Sequence, residues 1–136
     1  MVMAMALNIL VTDDCATIRL LIIKTLQLSG MMIDQIYEAE NGEEGLKILE
    51  ENRVDLILMD INMPEMDGVR MLEGVSMVTE LRKIPVLIVT AESNIQRVKA
   101  VKSTSMEKVA FLLKPFTPEC LRNAVITITG ADIYGK

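Results

Sequence analysis

The 136-residue chain contains no histidine. That absence removes imidazole acid–base catalysis, histidine metal ligation and the Ser-His-Asp triad together. Only two cysteines are present, Cys15 and Cys120, far apart in sequence. They fit two reduced thiols in the cytoplasm better than a disulfide scaffold. No apolar run is long enough to span a bilayer, so no membrane insertion is expected. The opening MVMAMA is apolar but short and lacks a basic flank, unlike a signal peptide. Positive charge is in deficit: the net charge is −5, which argues against nucleic-acid binding through a whole-domain field. Linkers, repeats and low-complexity segments are missing, and the first loop has too little glycine to cradle a nucleotide.

Hydrophobic residues make up 51% of the chain, enough to bury the core of one ordinary domain. We expect a single domain over 1–136, with a core of about 7–129 and tails at 1–6 and 131–136. Five short apolar runs recur: LNILVT (7–12), QIYEA (35–39), VDLILM (54–59), PVLIVT (85–90) and VAFLL (109–113). Four are nearly continuous in Val, Ile and Leu, as buried parallel strands are. QIYEA alternates more and reads as an edge strand.

The segments between them read as helices. Residues 15–29 are strongly apolar, and Gly30 can end that helix. Asn41 and Glu44 form a capping-box-like start for 42–51. Gly68 precedes a third segment over 69–82, and 93–104 gives a fourth, more polar one. In the last, Thr117 is the candidate N-cap and Pro118 the first helical residue, with Leu121, Ala124, Val125 and Ile128 on one face. This (βα)5 alternation predicts an α/β, doubly wound domain, a parallel sheet with helices on both faces.

Ligands of open α/β sheets bind beyond the carboxyl ends of the strands. There this sequence places Asp13 and Asp14, then Asp60, Thr90 and Lys114, the last followed by Pro115. On neighbouring strands, about 5 Å apart, these side chains converge. Three crowded carboxylates repel one another, and a hard divalent cation such as Mg²⁺ relieves them. Mg²⁺, a lysine and a hydroxyl can neutralise the equatorial oxygens of a phosphoryl group. A carboxylate nucleophile then gives an acyl phosphate, and Asp60, on the most central strand, is the best candidate. Taken singly, each residue has an ordinary explanation: Asp13 or Asp14 as a helix cap, Thr90 as a strand end, Lys114 as a solvated cation. Their joint placement on one edge is what carries the chemistry.

The motifs DD (13–14), MDINMPEMDG (59–68), VTAE (89–92) and KPF (114–116), in that order, resemble the receiver domain of two-component response regulators. The likeness runs from about Leu7 to Ile128, and with no output domain following, the chain resembles a stand-alone chemotaxis receiver of the CheY type. The resemblance implies a flavodoxin-like sandwich with strand order 2-1-3-4-5. It implies Asp60 as phosphoacceptor, Asp14 and Asp60 on Mg²⁺ with the Asn62 carbonyl, and Asp13 acting through water. It pairs Lys114 with Asp60 and then with the phosphoryl group, which Thr90 and the Ala91 N–H also bond. Asn62 and Glu92 occupy lifetime-tuning positions, Phe111 the aromatic switch position, and Lys114–Pro115 is expected cis. Pro64 and Gly68 shape the loop into the third helix. The implied partners are a histidine kinase donor and a target protein on the helix 4–strand 5–helix 5 face, with the chain a monomer. It would be a signalling protein rather than an enzyme, catalysing only its own phosphotransfer and dephosphorylation. The sequence departs from the family where receivers often carry Gly-Ala before strand 5; here the chain reads STSMEKVAF.

Rival readings fit less well. A haloacid-dehalogenase-type phosphatase needs a second Asp two positions after the nucleophile, where this chain has Asn62. Flavodoxin binds phosphate in its first loop, which here begins Asp-Asp-Cys. An unphosphorylated receiver-like interaction module commonly lacks part of the pocket, and this pocket is complete.

Overall fold

The computed structural model describes residues 6–60, 68–90, 95–102 and 104–130. Five strands and five helices alternate: β1 (Leu7–Thr12), α1 (Ala16–Leu28), β2 (Ile33–Ala39), α2 (Gly42–Glu51), β3 (Leu56–Met59), α3 (Gly68–Ser76), β4 (Val86–Thr90), α4 (Ile95–Lys102), β5 (Val109–Leu113) and α5 (Pro118–Thr129). The strands form one sheet in the order β2-β1-β3-β4-β5, every pairing parallel. The expected doubly wound α/β fold and strand order are therefore observed. No helix among the described residues is long and apolar enough to cross a membrane.

Alternation along each strand divides the core between the two faces of the sheet. Leu10, Ile57, Met59, Val86 and Ile88 pack with Leu49, Met71, Leu72, Val75 and Val101 on the α2–α3–α4 side. Ile9, Val11, Leu56, Leu58, Leu87 and Val89 pack with Ile22, Leu26, Leu121, Val125 and Ile128 on the α1–α5 side. Burying a side chain of this size stabilises by roughly 1.5–3 kcal/mol. The central strands, buried on both faces, are the continuous apolar runs of the sequence. On the α2 side the packing is close: a Cβ on Gly45 would lie 2.9 Å from Met71 Cε and 3.6 Å from Thr12 Oγ1.

Several boundaries differ from the sequence reading. VAFLL is not a buried strand: as β5 it has one sheet neighbour, its residues are half-buried and Leu113 is 48% exposed. QIYEA is an edge strand as expected, but β2 begins two residues earlier, at Ile33. The third helix stops at Ser76 instead of continuing to 82. Its end tightens, with Met77 N–H donating to Gly74 O (3.3 Å), Val78 N–H to Val75 O (3.1 Å) and the Ser76 hydroxyl to Glu73 O (2.8 Å). A 3-10 turn over Leu81–Lys83 then returns Leu81 and Ile84 to the core.

The predicted caps are present. Asn41 Oδ1 accepts from Glu44 N–H at 2.8 Å, while Glu44 Oε1 accepts from Glu40 N–H at 3.0 Å, one residue further back than a regular capping box. Thr117 Oγ1 accepts from Cys120 N–H at 3.1 Å. Gly30, at φ 81°, follows the C-cap Ser29 of α1, and Gly130, at φ 63°, ends α5. Residues 93–94 and 103 of the expected fourth helix lie outside the described residues; α4 ends at Lys102, and beyond it the N–H and hydroxyl of Thr104 both donate to Val101 O.

Candidate functional site

At the carboxyl edge the ladder of backbone hydrogen bonds runs one residue past the strands. Asp13 N–H donates to Ala39 O (3.1 Å), Asp60 N–H to Thr12 O (3.0 Å) and Lys114 N–H to Thr90 O (3.0 Å). The register pairs Thr12 with Met59 and Thr90 with Leu113. Asp13, Asp60 and Lys114 are thus the first residues beyond β1, β3 and β5, each fastened to the neighbouring strand. The main chain, not the side chains, sets their spacing.

The three carboxylates and the lysine come together at this edge. Carboxylate oxygens of Asp13, Asp14 and Asp60 lie within 4.8 Å of one another. Lys114 Nζ stands 3.9 Å from Asp60 Oδ2. Thr90 is buried at the end of β4, and the Lys114–Pro115 peptide is cis, as the resemblance implied. Asn62, Ala91 and Glu92 lie outside the described residues.

Asp13 is the most constrained member. It is 2% exposed, and its Oδ1 accepts from Cys15 N–H at 2.9 Å. Its Oδ2 is buried and has no hydrogen-bond partner among the described residues. Burial holds its pKa above the usual 3.8; the Cys15 N–H works against this, the Asp60 carboxylate adds to it, Lys114 opposes it and Asp14 adds again. A buried, unsatisfied carboxylate oxygen is costly unless a cation meets it. Three hard oxygen donors with one oxygen uncommitted fit Mg²⁺.

Sequence reasoning missed Arg19. From the end of the first turn of α1 its Nη1 donates to the Asp13 carbonyl at 2.7 Å, and its Nε pairs with Glu38 Oε1 on β2 at 3.1 Å. The available signal was an arginine in an otherwise mostly apolar helix, six residues after the first aspartate. Phe111 stands at the aromatic switch position, on β5. It is half-buried against the α2–α3–α4 core, with Lys102 Nζ 5.7 Å from its ring centroid.

The response regulator receiver domain model matches residues 9–126. The chain is 34% identical over 131 residues to a probable chemotaxis protein CheY of Rhizobium etli, covering 96% of this chain and 98% of that one. It is 31% identical over 125 residues to a CheY homologue of Campylobacter jejuni, covering 91% and 93%. The solved structure of the chemotaxis response regulator CheY4 of Vibrio cholerae superposes with a TM-score of 0.78 at 28% identity, covering 91% of this chain and 99% of that one. With its sheet order, its acidic edge and these relatives in agreement, the chain belongs to the response regulator receiver domains of two-component signalling.

Proposed function

We propose that this receiver takes a phosphoryl group onto Asp60 from a histidine kinase or a small phosphodonor, and that the acyl phosphate switches a protein-binding face. The carrying observation is the clustering of three carboxylates within 4.8 Å beside the Lys114 ammonium, 3.9 Å from Asp60. Asp13, Asp14 and Asp60, with the Asn62 carbonyl, would hold Mg²⁺. When bound, the ion supplies charge neutralisation for the transferring group.

The residues of the chain do the rest. An Asp60 carboxylate oxygen attacks phosphorus as the bond to the donor's leaving group breaks, giving an aspartyl phosphate. Lys114 and the Thr90 hydroxyl, with the Ala91 N–H, receive the phosphoryl oxygens. Hydrolysis by water returns the carboxylate and inorganic phosphate, at a rate set in part by Asn62 and Glu92. An apolar cleft of about 410 Å³, lined by Ile18, Leu21, Ile22 and Phe116 and reaching Lys114, offers the donor a surface beside the pocket.

Drawn toward the phosphoryl group, Thr90 vacates space beside β4, and Phe111 moves further inward to fill it. The α4–β5–α5 face then changes shape. Residues 91–116 carry five basic and two acidic side chains, a net +3 on a chain of net −5. An acidic segment of a target protein is the partner such a patch attracts. Identity to chemotaxis proteins over almost the full chain supports a role in motility signalling. Exposed free thiols at Cys15 and Cys120 support a cytoplasmic location.

The test is incubation with acetyl phosphate and Mg²⁺. One acid-stable, base- and hydroxylamine-labile phosphoryl group should appear on the native chain and none on Asp60→Asn. Equal labelling of both, or none of the native chain at forcing donor concentrations, would sink the proposal.

A further inference from the structure

We propose that Arg19 is a positioning residue for the acidic pocket. Held by Glu38, it fixes the Asp13–Asp14 turn and thereby sets the affinity for the divalent cation. The inference rests on the magnesium reading above.

Each polar atom of Asp13 can be accounted for. Its N–H is spent on Ala39 O at 3.1 Å, its carbonyl on Arg19 Nη1 at 2.7 Å and its Oδ1 on Cys15 N–H at 2.9 Å. Only Oδ2 has no partner among the described residues. Three fixed atoms therefore aim the fourth. Two of the anchors trace to adjacent residues of β2: Ala39 bonds Asp13 directly, and Glu38 holds it through Arg19 at 3.1 Å.

The guanidinium acts by geometry. Its charge is met by Glu38, and its planar fork spans two acceptors on different elements, which an ammonium cannot reproduce. The Arg19 side chain is 14% exposed and Glu38 52%, so the ion pair itself is open to water and contributes little energy; the part-buried bond to the Asp13 carbonyl is the contact that matters. Mutual repulsion among Asp13, Asp14 and Asp60 pushes the turn outward. Without Arg19 the carbonyl of Asp13 loses its tether, and Oδ2 loses its aim. Outer-layer contacts of this kind typically change metal affinity about 10–100-fold when removed.

The alternative is that Arg19 only braces α1 against β2. Bracing would alter stability and leave the cation affinity alone. The experiment titrates MgCl₂ calorimetrically into the native chain, Arg19→Met and Arg19→Lys, with melting curves in EDTA to confirm folding. Labelling rate with acetyl phosphate is then followed against Mg²⁺ concentration. Arg19→Met should weaken Mg²⁺ binding about tenfold or more while its labelling rate at saturating Mg²⁺ stays near native; Arg19→Lys should fall between. If Arg19→Met does not fold, the lysine variant decides, and it must still bind more weakly than native. Native-like Mg²⁺ affinity in the folded variants overturns the proposal, as does a labelling defect that saturating Mg²⁺ leaves unrepaired. A native chain that binds no Mg²⁺ overturns the magnesium reading itself, and that control reads out independently of Arg19.

Discussion

Lys114 Nζ and Asp60 Oδ2 face each other at 3.9 Å across the end of the sheet, although they belong to strands separated by β4. In the proposed function Lys114 would compete with the metal for the same carboxylate and then serve the incoming phosphoryl group. Replacing it with Met should separate the two roles. Mg²⁺ should bind Lys114→Met more tightly by calorimetry, because a competing cation is gone. Phosphorylation by acetyl phosphate should slow by about 10²–10³, the usual cost of losing one fixed donor at a site of developing charge. Native labelling kinetics in this variant would show that Lys114 has no part in transfer.

Asp13 carries a pH signature. Its folded-state pKa is raised, first by burial. The ionised group therefore weakens the fold at neutral pH; the penalty fades as pH falls through the raised pKa and is gone below the ordinary 3.8. Asp13→Asn, which keeps an acceptor for Cys15 N–H, should melt higher than native in EDTA at pH 7. Its advantage should shrink toward pH 4. Mg²⁺ at a hundredfold excess over Kd should stabilise the native chain by about 2.7 kcal/mol and the variant far less. An Asp13→Asn melting point below native at pH 7 would contradict this account.

Thr117 does two jobs at the start of α5. Its hydroxyl caps the helix through Cys120 N–H, and its hydrogen bonds hold the Cys120 thiol below its ordinary pKa of 9.0. Thr117→Ala should cost about 1 kcal/mol in urea unfolding. It should also move the pH midpoint of Cys120 alkylation upward while leaving that of Cys15 in place. Mass spectrometry of the two alkylated peptides reads both at once.

Phe111 is half-buried with Lys102 beside its ring, so the proposed switch would be a short inward movement that releases Lys102. Adding beryllofluoride should shift amide resonances beyond the pocket, along residues 97–113. Thr90→Ala should still be phosphorylated, yet show much smaller shifts at Phe111 and weaker tightening toward an acidic peptide. Shifts confined to the pocket in the native chain would break the proposed link between Asp60 and the output face.

The parts of this molecule legible in the sequence are those where one residue's chemistry has one reason. Central strands β1, β3 and β4 are buried on both faces, so their apolar runs were visible. Asp13, Asp60 and Lys114 directly follow the apolar runs of β1, β3 and β5, and Thr90 ends that of β4, which made the shared edge visible. The edge strand β5 was misjudged because an apolar run does not record how many neighbours cover it. The third helix was drawn too long because Met77 and Val78 continue its apolar character, while the turn is decided by where Leu81 and Ile84 must pack. Arg19 escaped notice because one partner is a backbone carbonyl and the other, Glu38, lies nineteen residues away on β2, so no local side-chain pattern encodes either contact.

The extension of the backbone ladder to Asp13, Asp60 and Lys114 has a genetic meaning. Those bonds belong to peptide groups, which every residue but proline carries. Point variants at these three positions change the functional group while its mounting survives. A loss of signalling in such a variant reports missing chemistry, and a lineage can exchange the reactive groups at this edge without redesigning the sheet that presents them.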